Sequence, residues 1–219
     1  MKILITGGCG YVGSALIPHL LNEHVIVNLD PQWYGSSLPE NPNLANIRAD
    51  LRDTDTLKEA IRGAQAVIHL AGMTSDQACR ENPQEAASVN VGAFETLVKE
   101  SRDAGVKRFI FPSSAAAYGS AETLFTEAVA LRPTTDYGKY KYQCEEILKA
   151  ASREDFKDFR RFILRPAGVC GYAPRMRFDL MVNMMTAHAV LNERIEIAGG
   201  TQIRPHVHIR DLLGVFSRL

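Results

Sequence analysis

The sequence predicts an α/β protein: a doubly wound, Rossmann-type parallel sheet followed by a small, incomplete C-terminal substrate lobe. Three observations carry that expectation. Short apolar runs alternate with longer amphipathic stretches, and parallel strands need such crossover helices between them. A glycine-rich loop, Gly7-Gly8-Cys9-Gly10-Tyr11-Val12-Gly13, leaves the first apolar run and opens the first helix. The alternation then breaks after Arg165-Pro166, where loops and turns take over.

Each element has its own justification. Lys2–Thr6 is apolar but too short for a signal peptide, so it reads as the first buried strand, feeding a helix over 11–21. His24–Leu29 is the second strand, and the proline-containing loop 31–43 is the longest polar break in the first half. A fainter strand, Asn46–Ala49, precedes a helix over 53–62. Ala66–Leu70, Lys107–Phe111 and Arg161–Leu164 are rich in Ile, Val, Leu and Phe, as strands buried on both faces must be. Long helical patterns cover 84–104 and 137–151. These elements bound a first domain at residues 1–165. Residues 166–219 read as a partial second lobe. It holds the loop Ala173–Arg177, a helix at about 178–191, a strand Arg194–Ala198, a Gly199-Gly200 turn, an extended His206–Ile209 and a helix opened by Asp211.

Bulk composition excludes several classes. The 219 residues are 46% hydrophobic and 23% charged, as in ordinary globular proteins. Lys plus Arg equals Asp plus Glu at 25 each, so no global charge draws the chain to nucleic acid or an anionic membrane. No apolar run reaches the roughly 20 residues of a membrane span. Cys9, Cys79, Cys144 and Cys170 lie far apart with no C-x-x-C, which indicates neither zinc site nor disulfide framework and implies a reduced, cytoplasmic protein. His206 and His208 share a face of an extended segment but lack a third ligand, so no metal is expected.

The glycine loop has the strand before it and the helix after it that a dinucleotide site requires. Gly7, Gly10 and Gly13 serve a tight turn, close backbone approach to a pyrophosphate and helix–strand packing. The N–H groups of Tyr11 and Val12 then offer a helix N-terminus to the phosphates. Asp30 ends the second strand, about 20 residues downstream, where a carboxylate accepts from a ribose diol. It would repel a 2′-phosphate, and residues 31–40 hold no Arg or Lys to invite one, so NAD is favoured over its phosphorylated form. Asp50 and Leu51 end the third strand in the same way and are placed near the adenine. Tyr137 and Lys141 stand four residues apart on one helical face. A free phenol titrates near ~10, and a neighbouring cation favours the phenolate, which suits such a tyrosine to proton transfer.

Seven ordered motifs carry a resemblance: T-G-G-C-G-Y-V-G (6–13), H-L-A-G (69–72), V-N-V-G (89–92), S-S-A-A-A-Y-G (113–119), Y-G-K-Y-K (137–141), L-R-P-A-G-V (164–169) and R-P-H-V-H-I-R-D (204–211). Together they resemble the extended short-chain dehydrogenase/reductase family, in its NAD-dependent nucleotide-sugar epimerase/dehydratase branch. The resemblance implies that Ser114 binds the reacting oxygen, that Tyr137 is the acid/base, and that Lys141 holds the nicotinamide ribose while tuning Tyr137. Ser113 competes with Ser114 for the first role. Leu70, Ala71 and Gly72 would pass beside the cofactor, and Asn90 would hold the adjoining loop. Thr74, Ser114, Ala115 and Arg204 would meet the nucleotide sugar, Arg204 as a clamp on its diphosphate. His69 reads as a packed core residue.

The same resemblance separates the reactions. The 4,6-dehydratases carry an Asp-Glu pair directly after the catalytic Ser/Thr, and the decarboxylating members place a glutamate in this stretch; here Ala115 and Ala116 stand there. That leaves a 4-epimerase working through a transient 4-keto sugar. A nucleotide-sugar dehydrogenase/reductase or a 4,6-dehydratase is the alternative, and a sensor that binds NAD(H) without turnover is the non-enzymatic one. Gly168 departs from the asparagine that related epimerases often show. The resemblance also implies a homodimer paired through the 84–104 and 137–151 helices, and a chain shorter than its family.

Overall fold

The computed structural model describes residues 1–120, 125–151 and 158–219. Six strands form one parallel sheet: β1 (Lys2–Thr6), β2 (Val25–Asp30), β3 (Leu44–Arg48), β4 (Ala66–His69), β5 (Arg108–Pro112) and β6 (Arg160–Leu164). Their spatial order is β3-β2-β1-β4-β5-β6, the doubly wound order in which the winding reverses beside β1. All of the expected sheet strands are present, with ends moved by no more than two residues.

Side chains leave each strand on alternate faces, so each strand serves two cores. Leu4, Val67 and Phe109 join a cluster with Phe94, Leu97 and Leu148, under α2 (Thr54–Ile61), α5 (Ala93–Asp103) and α6 (Asp136–Ala151). Ile3, Ile5, Ile68 and Ile110 face the other way, onto Leu16 and Ile17 of α1 (Tyr11–Leu20) and onto Leu212 and Phe216 of α8 (Ile209–Phe216). The last helix of the chain thus packs on the first.

The long helix expected over 84–104 is not uniform. It comprises α4 (Pro83–Ala87), a π turn at Ser88–Gly92 and α5, with Asn90 inside the π turn. Two short elements escaped the periodicity: α3 (Asp76–Glu81), capped by the Ser75 hydroxyl on Ala78 N–H, and a 3₁₀ turn at Ala115–Tyr118. Both are too brief to display a period.

Beyond Pro166, β7 (Gly168–Cys170) and β8 (His206–His208) make a separate two-stranded parallel sheet, and α7 spans Met181–Asn192. The expected strand Arg194–Ala198 is a correction: this segment is exposed and has no regular structure. Its alternating R-I-E-I-A pattern suits a strand, but among the described residues no neighbouring backbone pairs with it, and an isolated strand leaves its own groups unbonded.

Candidate active site

The glycine loop leaves β1 where the sheet winding reverses. Gly7 has φ +78°, and a Cβ there would lie 2.5 Å from Ala71 N, so the loops after β1 and β4 touch through bare backbone. Leu70 and Ala71 supply that contact. Gly8 and Gly13 are equally closed to a side chain, Gly13 against the Gly8 backbone. Gly10 is the N-cap of α1 with no side-chain cap. The first helical bond runs from Ser14 N–H to Gly10 C=O at 2.9 Å, which leaves the N–H groups of Tyr11, Val12 and Gly13 outside the helical ladder.

Asp30 is 7% exposed and stands against this loop. Its Oδ2 accepts Cys9 N–H at 3.0 Å and its Oδ1 accepts Gln32 N–H at 2.7 Å. Each carboxylate oxygen keeps a further lone pair for a ribose hydroxyl. The side-chain-free floor, the bare helix N-terminus and this carboxylate wall fit a dinucleotide. Arg52 holds Asp50 through Nε at 3.0 Å and Nη2 at 2.7 Å, and that bonding keeps its carboxyl below the usual aspartate range. Leu51 beside it is buried.

Tyr137 and Lys141 occupy the first turns of α6. The Lys141 ammonium lies 5.6 Å from the centre of the Tyr137 ring, 4.7 Å from that of Phe111, and donates to Pro112 C=O at 2.9 Å. Ser114 caps the 3₁₀ turn, its Oγ accepting Ala116 N–H at 3.1 Å. That turn abuts α6 closely: a Cβ on Gly138 would lie 2.7 Å from Ala116 C=O, so only glycine lets Tyr137 and the serine turn approach. The competing hydroxyl is committed elsewhere, because Ser113 Oγ donates to the buried Glu145 carboxylate at 2.6 Å.

A small cavity behind this group is lined by His69, Ala71, Asn90, Tyr137, Lys141 and Cys144, among others. Asn90 brackets Met73, accepting its N–H at 2.8 Å and donating to its C=O at 3.0 Å, beside Gly72. His69 is 2% exposed, bonded to Thr6 Oγ1 at 2.7 Å and packed on Phe94 and Phe111. Burial, with Lys141 adding to it, lowers its pKa to about 3, so it stays neutral. Burial pushes the Cys144 thiol up to about 12. Neither is poised for acid/base work.

Several contributors went unseen in the sequence. Asp76 Oδ1 accepts Tyr137 N–H at 3.2 Å and so seats the start of α6. From the loop 173–179, Arg177 Nη1 reaches Thr74 Oγ1 at 2.7 Å, while its other nitrogens pair with Asp179. Arg175 in the same loop lies 4.5 Å from the centre of the Tyr34 ring, and its N–H donates to Ser14 Oγ at 3.1 Å. Tyr11 adds a bond from its phenol to Gly171 C=O at 2.6 Å, and Asn183 joins Tyr11, Gly171 and Arg177. One signal was available: Tyr137, Lys141 and Glu145 recur every four residues along one stripe. Arg204 is not gathered into this group. It is exposed in the stretch before β8, with Pro205 C=O accepting Gly168 N–H at 3.2 Å beside it. His206 and His208 have local bonds, to Gly168 C=O and from Arg210 N–H.

Doubly wound topology with a glycine floor at its switch point defines a dinucleotide-dependent enzyme, and a Ser/Tyr/Lys group stands near that floor. The chain belongs to the NAD dependent epimerase/dehydratase family, which it matches over residues 3–219. NAD is accordingly its cofactor. It is 30% identical over 240 residues to a UDP-glucose 4-epimerase of Pasteurella multocida (strain Pm70), covering 97% of this chain and 71% of that one. Among solved structures it is similar to the UDP-glucose 4-epimerase of Thermotoga maritima with UDP-glucose, at TM-score 0.88 and 28% identity over 98% of this chain and 71% of that one. MoeE5 in complex with UDP-glucuronic acid and NAD is as similar, at TM-score 0.88 and 28% identity over 99% and 71% of the two chains.

Proposed function

We infer that the chain is an NAD-dependent nucleotide-sugar 4-epimerase. The observation that carries this reading is the setting of Ser114: the turn that follows it is Ala115-Ala116-Ala117, packed on Gly138, with no carboxylate in it to drive elimination. The similarity to UDP-glucose 4-epimerases supports the same conclusion.

NAD, when bound, supplies the hydride acceptor. In this reading Tyr137 takes the proton of the sugar hydroxyl and later returns it. Lys141 steadies the phenolate and orients the nicotinamide ribose. Ser114 donates to the sugar oxygen as its charge develops. Gly7, Gly10, Tyr11, Val12 and Gly13 bind the pyrophosphate, Asp30 the adenosine ribose, and Asp50 with Leu51 the adenine edge. Leu70, Ala71, Gly72 and Asn90 line the nicotinamide side. Thr74 and Ala115 border the sugar, and Arg204 meets its diphosphate from the lobe we assign to residues 166–219. We assign residues 1–165 to the cofactor domain.

The test is interconversion of UDP-glucose and UDP-galactose by the purified protein. Conversion without net formation of NADH is expected, since the hydride returns to the sugar. Steady accumulation of free NADH would refute the epimerase in favour of a dehydrogenase. Tight NAD binding with no conversion of any nucleotide sugar would leave only the sensor.

The same reading pairs two copies through the α4–α5 stretch and α6, a state that light scattering measures directly. The four cysteines are free thiols, which accords with a reduced compartment such as the cytoplasm. Among the described residues no helix is long and apolar enough to cross a membrane.

A further inference from the structure

Glu145 is fully buried, at 0% exposure, yet it is a carboxylate on the helix of Tyr137 and Lys141, one turn beyond the lysine. Its oxygens take three strong bonds. Arg165 donates through Nε at 2.9 Å to Oε1 and through Nη2 at 2.7 Å to Oε2, and Ser113 Oγ reaches Oε1 at 2.6 Å. Arg165 also donates to the Tyr118 phenol at 3.1 Å, with its guanidinium 4.9 Å from the centre of that ring. Burial alone would raise the Glu145 pKa, but Arg165 and Ser113 outweigh it and hold the carboxyl below the ordinary glutamate range.

These partners frame Ser114 on both sides. Ser113 N–H donates to Leu164 C=O at 2.7 Å and Ala115 N–H to Pro166 C=O at 3.0 Å, so the backbone around Ser114 is laced to the residues flanking Arg165. Glu145 therefore grips both chains of that lacing, through the Ser113 hydroxyl on one and the Arg165 guanidinium on the other. Tyr118 ends the turn that Ser114 begins, and it too hangs on Arg165. Tyr137 and Lys141 meet the serine turn through packing at Gly138 and the Lys141 bond to Pro112. We propose that Glu145, acting through Arg165 and Ser113, is the positioning residue that fixes the Ser114 hydroxyl against the Tyr137 phenol.

A purely stabilising ion pair would change melting temperature and leave turnover per folded molecule alone. A positioning residue changes kcat with little effect on KM, because a shift of about 1 Å in a reacting group can cost about 10²-fold in rate. This inference rests on the epimerase reading, so the wild-type protein is the reference: failure of the wild type to turn over refutes that reading, not this one. With NAD-loaded, folded Glu145→Gln, kcat for UDP-glucose epimerisation should fall at least about tenfold while KM stays within about twofold. Ser113→Ala leaves the ion pair intact and guards against a misfolded Gln variant; its kcat per folded molecule should fall about three- to tenfold. Wild-type kcat in either folded variant overturns the proposal. If the wild type shows no turnover, hydrogen exchange decides: faster exchange of the Ala115–Tyr118 amides in Ser113→Ala supports it, and unchanged exchange overturns it.

Discussion

Tyr137→Phe removes one oxygen from α6 and leaves the ring beneath Lys141 in place. Because the Lys141 ammonium is also held by Pro112 C=O, cofactor binding should persist while epimerisation falls by about 10²- to 10⁴-fold, the usual weight of acid/base catalysis. Equilibrium dialysis of NAD alongside a rate assay separates the two effects. Asp30→Ala acts in the opposite manner. It strips acceptors from Gln32 N–H and from the buried Cys9 N–H, the latter worth about 1–3 kcal/mol when left unsatisfied, so both NAD affinity and melting temperature should drop. At this scale the sequence was legible wherever a residue type has one use: the glycines, Asp30, and a tyrosine four residues before a lysine. Arg177 and Asp76 were not, because each acts on a partner far away in the chain and nothing local marks it; Glu145 is marked only by its place one turn beyond Lys141.

Among elements, legibility followed length and burial. The buried strands of the sheet declare themselves as apolar runs, whereas the 3₁₀ turn at Ala115–Tyr118 and α3 are shorter than any period that would betray them. The π turn is invisible for another reason: one extra residue per turn leaves the amphipathic pattern of 84–104 nearly unchanged. Its effect is to place Asn90 against Met73. Asn90→Ala should free both backbone groups of Met73, loosen the Leu70–Thr74 loop and raise the NAD dissociation constant, with hydrogen exchange at Met73 as the direct readout. Arg194–Ala198 shows the converse error, an alternating pattern without a neighbour to pair with. His69 gives β4 a pH signature. Its native pKa of about 3 lies below the ordinary 6.5, so the unfolded chain binds the extra proton between those values. Stability contributed by neutral His69 is present above about pH 6.5 and lost as pH falls toward about 3. Denaturant melts at pH 7 and pH 4.5 should differ less in His69→Gln than in the wild type.

The whole molecule is held across its cofactor face by one loop. Residues 173–179 contact Ser14 beside the glycine loop, Tyr34 beyond Asp30 and Thr74 beside Asn90's loop, while Asn183 fastens the loop to Tyr11. Arg177→Ala severs the Thr74 link and leaves Asp179 without its partner. Release of NAD, followed by protein fluorescence after dilution, should be several-fold faster than in the wild type, with β-sheet content unchanged. Equal release rates would dismiss the loop as a cofactor strap. No pattern in 173–179 announces this role, since its partners come from elements remote in sequence.

The glycine floor limits how this enzyme can be redesigned. Gly7, Gly8 and Gly13 touch other backbone or buried side chains so closely that no methyl group fits, which makes that region intolerant of engineering by substitution. Gly35 is the contrast, with open space around it in the loop that follows Asp30. Any retargeting toward a phosphorylated dinucleotide is therefore confined to the wall formed by Asp30 and residues 31–36, where an introduced arginine has room to stand. A library that spares the floor and varies this wall searches a part of the cofactor face with room to change.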